Sequence, residues 1–108
     1  MKDDKLYLIH IIECIERIEL YTKGKSKQEF LDSELLQDAV IRNLQIMAES
    51  TQRLSDSIKE IYSNIDWFKI AGFRNILVHD YLGVDIERVW NILERELSNL
   101  KNEIKQML

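Results

Sequence analysis

Apolar residues recur three and four positions apart along almost the whole chain, the spacing of α-helices that each bury one face. The first such stretch predicts a helix from about Asp4 to Thr22. Leu8, Ile11, Ile15 and Ile18 share a face, and Ile9, Ile12 and Leu20 widen it. Gly24 follows and suits a helix C-cap. Ser26-Lys27-Gln28-Glu29 has capping-box spacing and predicts a short helical turn through Leu31. A second, long helix is expected from about Ser33 to Tyr62, with its seam at Leu36, Val40, Leu44, Met47, Thr51, Leu54, Ile58 and Ile61. Ser63 to Asp66 breaks the pattern. Asp66 then caps a third helix from about Trp67 to Val78. Past Gly83, Asp85 caps a fourth from about Ile86 to Met107, with Ile86, Trp90, Leu93, Leu97, Leu100, Ile104 and Met107 along one seam.

These elements predict an all-α, four to five helix up-and-down bundle, with residues 1–108 forming a single domain. At 1.5 Å per residue, a second helix of about 28 residues would reach about 42 Å. That is more than a bundle of this size requires, so part of it is expected to lie against another chain.

Composition agrees with helices and narrows the chemistry. There is no proline and there are three glycines, which argues against an all-β fold rich in tight turns. The lone Cys14 can form no intramolecular disulfide and no thiolate zinc site, and its apolar neighbours predict a buried structural thiol. No apolar run is long enough to span a membrane, and the acids near the start do not resemble a signal peptide, so a cytoplasmic protein is expected. The net charge of −4 argues against a general nucleic-acid binder. The charge is uneven, however. Residues 67–79 hold Lys69, Arg74 and His79 and no acid, whereas residues 34–66 hold six acids against three bases. An anion site is therefore expected on 67–79. Lys23, Lys25 and Lys27 make a second basic spot, which reads as a solvated turn.

Most catalytic templates are absent. There is no glycine-rich phosphate loop, no Cys-x-x-Cys and no His-Glu-x-x-His, and neither a metal site nor a cofactor is expected. Residues 71–81, Ala-Gly-Phe-Arg-Asn-Ile-Leu-Val-His-Asp-Tyr, concentrate the polar chemistry. Arg74 is a permanent cation whose fork fits a phosphate. His79 can give or take a proton near neutral pH. Together they suffice for metal-free RNA cleavage: a base takes the ribose 2′-OH proton, a cation steadies the phosphorane, and an acid protonates the leaving oxygen. Asn75 and His79 are four apart and share a helix face, but Arg74 and His79, five apart, diverge by roughly 140°. They converge only if the helix ends near His79, if Arg74 uses its reach, or if the site forms across a two-fold axis. A structural reading also exists, since a cation near a helix C-terminus simply complements the dipole.

Arg74-Asn75-Ile76-Leu77-Val78-His79-Asp80-Tyr81 resembles the Arg-x-x-x-x-His-x-Tyr motif of HEPN-domain proteins. The chain is most similar to the short HEPN toxins encoded beside a minimal nucleotidyltransferase (MNT) antitoxin. Asp38-Ala39-Val40, Arg42-Asn43-Leu44, the stretch Ile46 to Ser50, Trp67, Val84-Asp85 and Val89-Trp90 also fit that family. Ala48, Ser50 and Asp66 depart from its usual glycine, alanine and proline. The resemblance implies a helical homodimer whose motifs line an interface cleft. It implies a metal-independent ribonuclease that cuts mRNA or tRNA, and a partner that neutralises it by transferring AMP to Tyr81. Arg74 and His79 are then the expected catalytic pair. Asn75, Asp80 and, on the second helix, Glu49 are the expected supporting residues. His10, Trp67 and Trp90 read as structural. Two other readings predict the same bundle: a catalytically weak HEPN module that binds nucleotide or protein, and a plain dimeric scaffold.

Overall fold

The first helix, α1 (Lys2–Thr22), carries acids in its opening turn and ends before Gly24, whose φ of +74° is the left-handed conformation glycine adopts without strain. In this computed structural model, residues 2–71 and 85–108 are described. Leu8, Ile11, Ile15 and Ile18 are all buried, as the spacing predicts. Ile9 and Leu20 do not join them and remain exposed. Each fully buried isoleucine contributes about 1.5–3 kcal/mol relative to exposure.

Ser26 opens α2 (Lys27–Asp32) with the expected capping box: its hydroxyl accepts from the Glu29 N–H at 3.1 Å, and the Glu29 carboxylate accepts from the Ser26 N–H at 3.2 Å. Ser33 caps α3 (Glu34–Gln52) by accepting from the Leu36 N–H at 3.1 Å. The long second helix does not continue to Tyr62. It stops after Gln52, and Ser55 caps a separate α4 (Asp56–Ile61). The cause is tertiary. The carboxylate of buried Asp4 on α1 accepts from both the backbone N–H and the hydroxyl of Ser55, at 2.8 and 2.6 Å, and holds the chain in an extended conformation there. The seam holds through Leu54, Ile58 is still partly buried against the core, and only Ile61 is exposed. At 19 residues α3 is about 28 Å long, so its length no longer calls for a second chain.

The fifth helix, α5, begins at residue 67 and is described through residue 71. The expected fourth helix is two: α6 (Ile86–Arg95) and α7 (Leu97–Gln106). Glu96, at φ −116°, lies between them, yet the Glu96 N–H still donates to Ile92 O and Leu100 N–H to Glu96 O. The junction is thus a local distortion in a continuing hydrogen-bond ladder, and the predicted seam survives it, with Trp90, Leu97 and Ile104 buried.

Among the described residues the chain is all-helical, with no strand. The core forms where α1 packs on α3 and α7, while α2 bridges α3 and α6. Phe30 of α2 is completely buried and meets Trp90 of α6 with ring centroids 5.3 Å apart. Cys14 is buried and free, and burial raises its thiol pKa. No helix among the described residues is long and apolar enough to cross a membrane.

Candidate functional site

Arg74, Asn75, His79, Asp80 and Tyr81, with the rest of 72–84, lie outside the described residues. The structure does describe both approaches to that segment. On the near side, the Asp66 side chain accepts from the Lys69 N–H at 2.8 Å, the expected N-cap of α5. Trp67 donates its indole N–H to Tyr62 O at 3.1 Å and is half-buried against the core. On the far side, the Asp85 side chain accepts from the Arg88 N–H at 3.2 Å and caps α6. Three residues into α6, Val89 and Trp90 are buried, and Trp90 packs on Phe30. Each end of the motif segment therefore joins a capped helix start anchored by a tryptophan.

The same two helix starts border one groove. It has a volume of about 680 Å³, and its floor includes Met47 of α3 with Ile92, Leu97 and Leu100. Phe68 and Lys69 of α5, and Arg88, Arg95 and Glu96 of α6 and its junction, also line it. Phe68 is 91% exposed. Lys69 and Glu96, both lining the groove, form a direct ion pair. That hydrogen bond and its charge raise the Lys69 pKa.

Glu49, the remaining predicted supporting residue, is exposed on α3. His10 is exposed on α1 with its ring edge-on to Tyr7, centroids 6.4 Å apart. The Lys23–Lys27 loop is solvated, with Lys25 and Lys27 about 4 Å from Glu29 and Glu87. The sequence pattern did not single out Phe68, Arg88 and Arg95 as a group. One signal was available: Arg88 and Arg95 are seven apart, two helical turns, and so share a face.

The described residues are all-helical and flank on both sides the segment of the sequence that carries Arg74, His79 and Tyr81. The chain belongs to the ribonuclease HepT-like family, whose model matches residues 11–107. It is 42% identical over 107 residues to the Methanocaldococcus jannaschii protein named "Gamma-glutamylcyclotransferase and putative RNase MJ0434", covering 99% of this chain and 48% of that one. The chain thus spans about half the length of that relative. It is also 32% identical over 106 residues to the "Probable ribonuclease HepT" of Thermococcus cleftensis, covering 98% of this chain and 96% of that protein. A further Methanocaldococcus jannaschii relative, "Putative RNase MJ1380", is 31% identical over 104 residues, 96% of this chain and 95% of its own. No solved structure matches the chain.

Proposed function

We propose that this protein is a metal-independent endoribonuclease, the toxin of a toxin–antitoxin pair. The observation that carries the reading is the Arg74-x-x-x-x-His79-x-Tyr81 segment in a chain of the HepT-like ribonuclease family. In the proposed reaction a base removes the proton of a ribose 2′-OH. The 2′-oxygen forms a bond to the adjacent phosphorus, the bond from phosphorus to the 5′-oxygen breaks, and an acid protonates that leaving oxygen. The products are a 2′,3′-cyclic phosphate and a 5′-hydroxyl. Arg74 neutralises the charge that builds on the phosphorane, and His79 is the acid or base. Asn75 orients His79 or the RNA, Asp80 tunes His79, and Glu49 supports the site.

One histidine cannot readily fill both proton-transfer roles in a single turnover, which supports a cleft built from two copies of the chain. With α3 shorter than expected, this chemical argument and the family resemblance are what support a homodimer. A monomer by light scattering at micromolar concentration would remove the composite site. The partner antitoxin is a minimal nucleotidyltransferase that transfers AMP from ATP to the Tyr81 hydroxyl, with release of pyrophosphate. The added phosphate and adenosine bring negative charge and bulk to where the RNA phosphate must sit.

The test is cleavage of RNA by purified protein in EDTA, comparing wild type with His79→Ala and Arg74→Ala, alongside an intact-mass spectrum. Cleavage by wild type alone supports the reading. An unmodified wild type that cuts no RNA overturns it in favour of a HEPN module that binds nucleotide or protein.

A further inference from the structure

We propose that the groove between the start of α5 and the α6–α7 junction is a subsite for single-stranded RNA, in which Phe68 stacks on a base and Arg88 and Arg95 hold backbone phosphates. The inference rests on the ribonuclease reading above and extends it to residues outside the motif.

Three features of the groove lead to this ligand. The first is Phe68. Burying an aromatic ring is favourable, yet this one is 91% exposed at the rim of an apolar-floored groove. A flat, exposed ring beside cations is the platform on which single-stranded bases stack. The second is charge. Three acids also line the groove: Glu96 is paired with Lys69, while Asp66, which caps α5, and Glu103, which accepts from the Asn64 side-chain amide at 3.1 Å, keep their charge. Arg88 and Arg95 are exposed, and among the described residues neither has an acid in ion-pair range. Two guanidinium groups on one helix face, neither in an ion pair among the described residues, suit an anionic backbone. The third is position. The groove takes Phe68 and Lys69 from just before the motif segment and Arg88 from just after it. Phe68 is six residues from Arg74, a reach of at most about 22 Å. A strand lying in the groove therefore stays within a few nucleotides of Arg74.

The same chemistry explains how an acidic chain can hold RNA. With a net charge of −4, nonspecific attraction is weak, and binding must come from a local cluster and from stacking.

The experiment measures binding of a fluorescent 12-nucleotide single-stranded RNA to the full chain carrying His79→Ala, so that it does not depend on turnover. Adding Phe68→Ala is expected to weaken binding roughly tenfold, and Phe68→Trp to restore it. Adding Arg88→Gln with Arg95→Gln is expected to flatten the slope of log affinity against log salt by about 0.7 for each phosphate left without its guanidinium. Light scattering on every variant accompanies the titrations. Unchanged affinity and salt slope would overturn the proposal. So would a Phe68→Ala variant that falls from dimer to monomer, because the groove would then belong to a second copy of the chain. If wild type shown by intact mass to be unmodified cuts no RNA but the Phe68 dependence of binding holds, the subsite stands and the ribonuclease reading falls.

Discussion

Asp4 and Ser55, 51 residues apart, are joined by two hydrogen bonds to one carboxylate, from the Ser55 N–H at 2.8 Å and from its hydroxyl at 2.6 Å. The same hydroxyl accepts from the Ile58 N–H at 3.3 Å, so the first turn of α1 fixes the cap that starts α4. Burial alone would raise the Asp4 pKa. The hydrogen bonds from Ser55 outweigh it and hold the carboxyl below its ordinary value of 3.8. A depressed folded pKa means that the charged form stabilises the fold. That contribution is complete above the ordinary value and is lost as the pH falls below 3.8 through the lower folded value. Asp4→Ala is expected to cost about 2 kcal/mol at pH 7, since it strands two donors. Urea unfolding at pH 7 and pH 3 checks this: the gap between Asp4→Asn and wild type should narrow in acid.

Lys101 provides a second tie, from α7 to α1, at 2.7 Å from Glu19 and 3.7 Å from Glu16. The hydrogen bond to Glu19 raises its pKa, against the opposing effect of burial. A raised folded pKa gives the opposite pH sign to Asp4: stability is present below 10.5 and is lost as the pH climbs through the higher folded value. Lys101→Met is expected to cost about 0.5–1 kcal/mol, because the side chain stays partly exposed and both acids face solvent. The loss should shrink in 1 M salt, where charges are screened within about 3 Å. An undiminished loss in salt would mean that the packing of the lysine stem carries the effect.

The two ties mark where sequence reading succeeds and where it stops. The caps at Ser26, Asp66 and Asp85 were legible because each is local chemistry, a side-chain oxygen and an N–H three residues on. The break between α3 and α4 was not. Leu54, Ile58 and Ile61 continue the helical spacing, no glycine or proline interrupts it, and the deciding group is Asp4 on another helix. The site divides in the same way. The motif could be read as contiguous residue types, whereas the groove assembles Met47, Phe68 and Arg88 from three helices and exists only after folding.

Cys14 is 1% exposed, and burial raises its thiol pKa, so little thiolate forms and little reagent reaches it. The Arg17 guanidinium lies 3.9 Å from its sulfur and only partly offsets that effect. A disulfide reagent such as DTNB is expected to leave the folded protein unlabelled at pH 8 and to react with one thiol per chain in denaturant. Rapid labelling of the folded state would show that α1 opens locally around this position.

The caps on either side of the motif segment allow fold and function to be separated. Asp85 and Ser26 make the same kind of hydrogen bond, to the N–H three residues on, at 3.2 and 3.1 Å. Replacing either with alanine is expected to cost about 1 kcal/mol of stability. They differ in what lies beside them. Asp85 is the first described residue after the motif segment, whereas Ser26 opens α2 and lies far from the motif in sequence. If the start of α6 positions the motif, Asp85→Ala should lower RNA cleavage several-fold, with Ser26→Ala near wild type at equal folded fraction. Cleavage rates at 25 °C, normalised by each variant's unfolding curve, make the comparison. Equal rates would show that the motif is positioned without the Asp85 cap. They would leave Trp90, locked on Phe30 at 5.3 Å, as the anchor on that side.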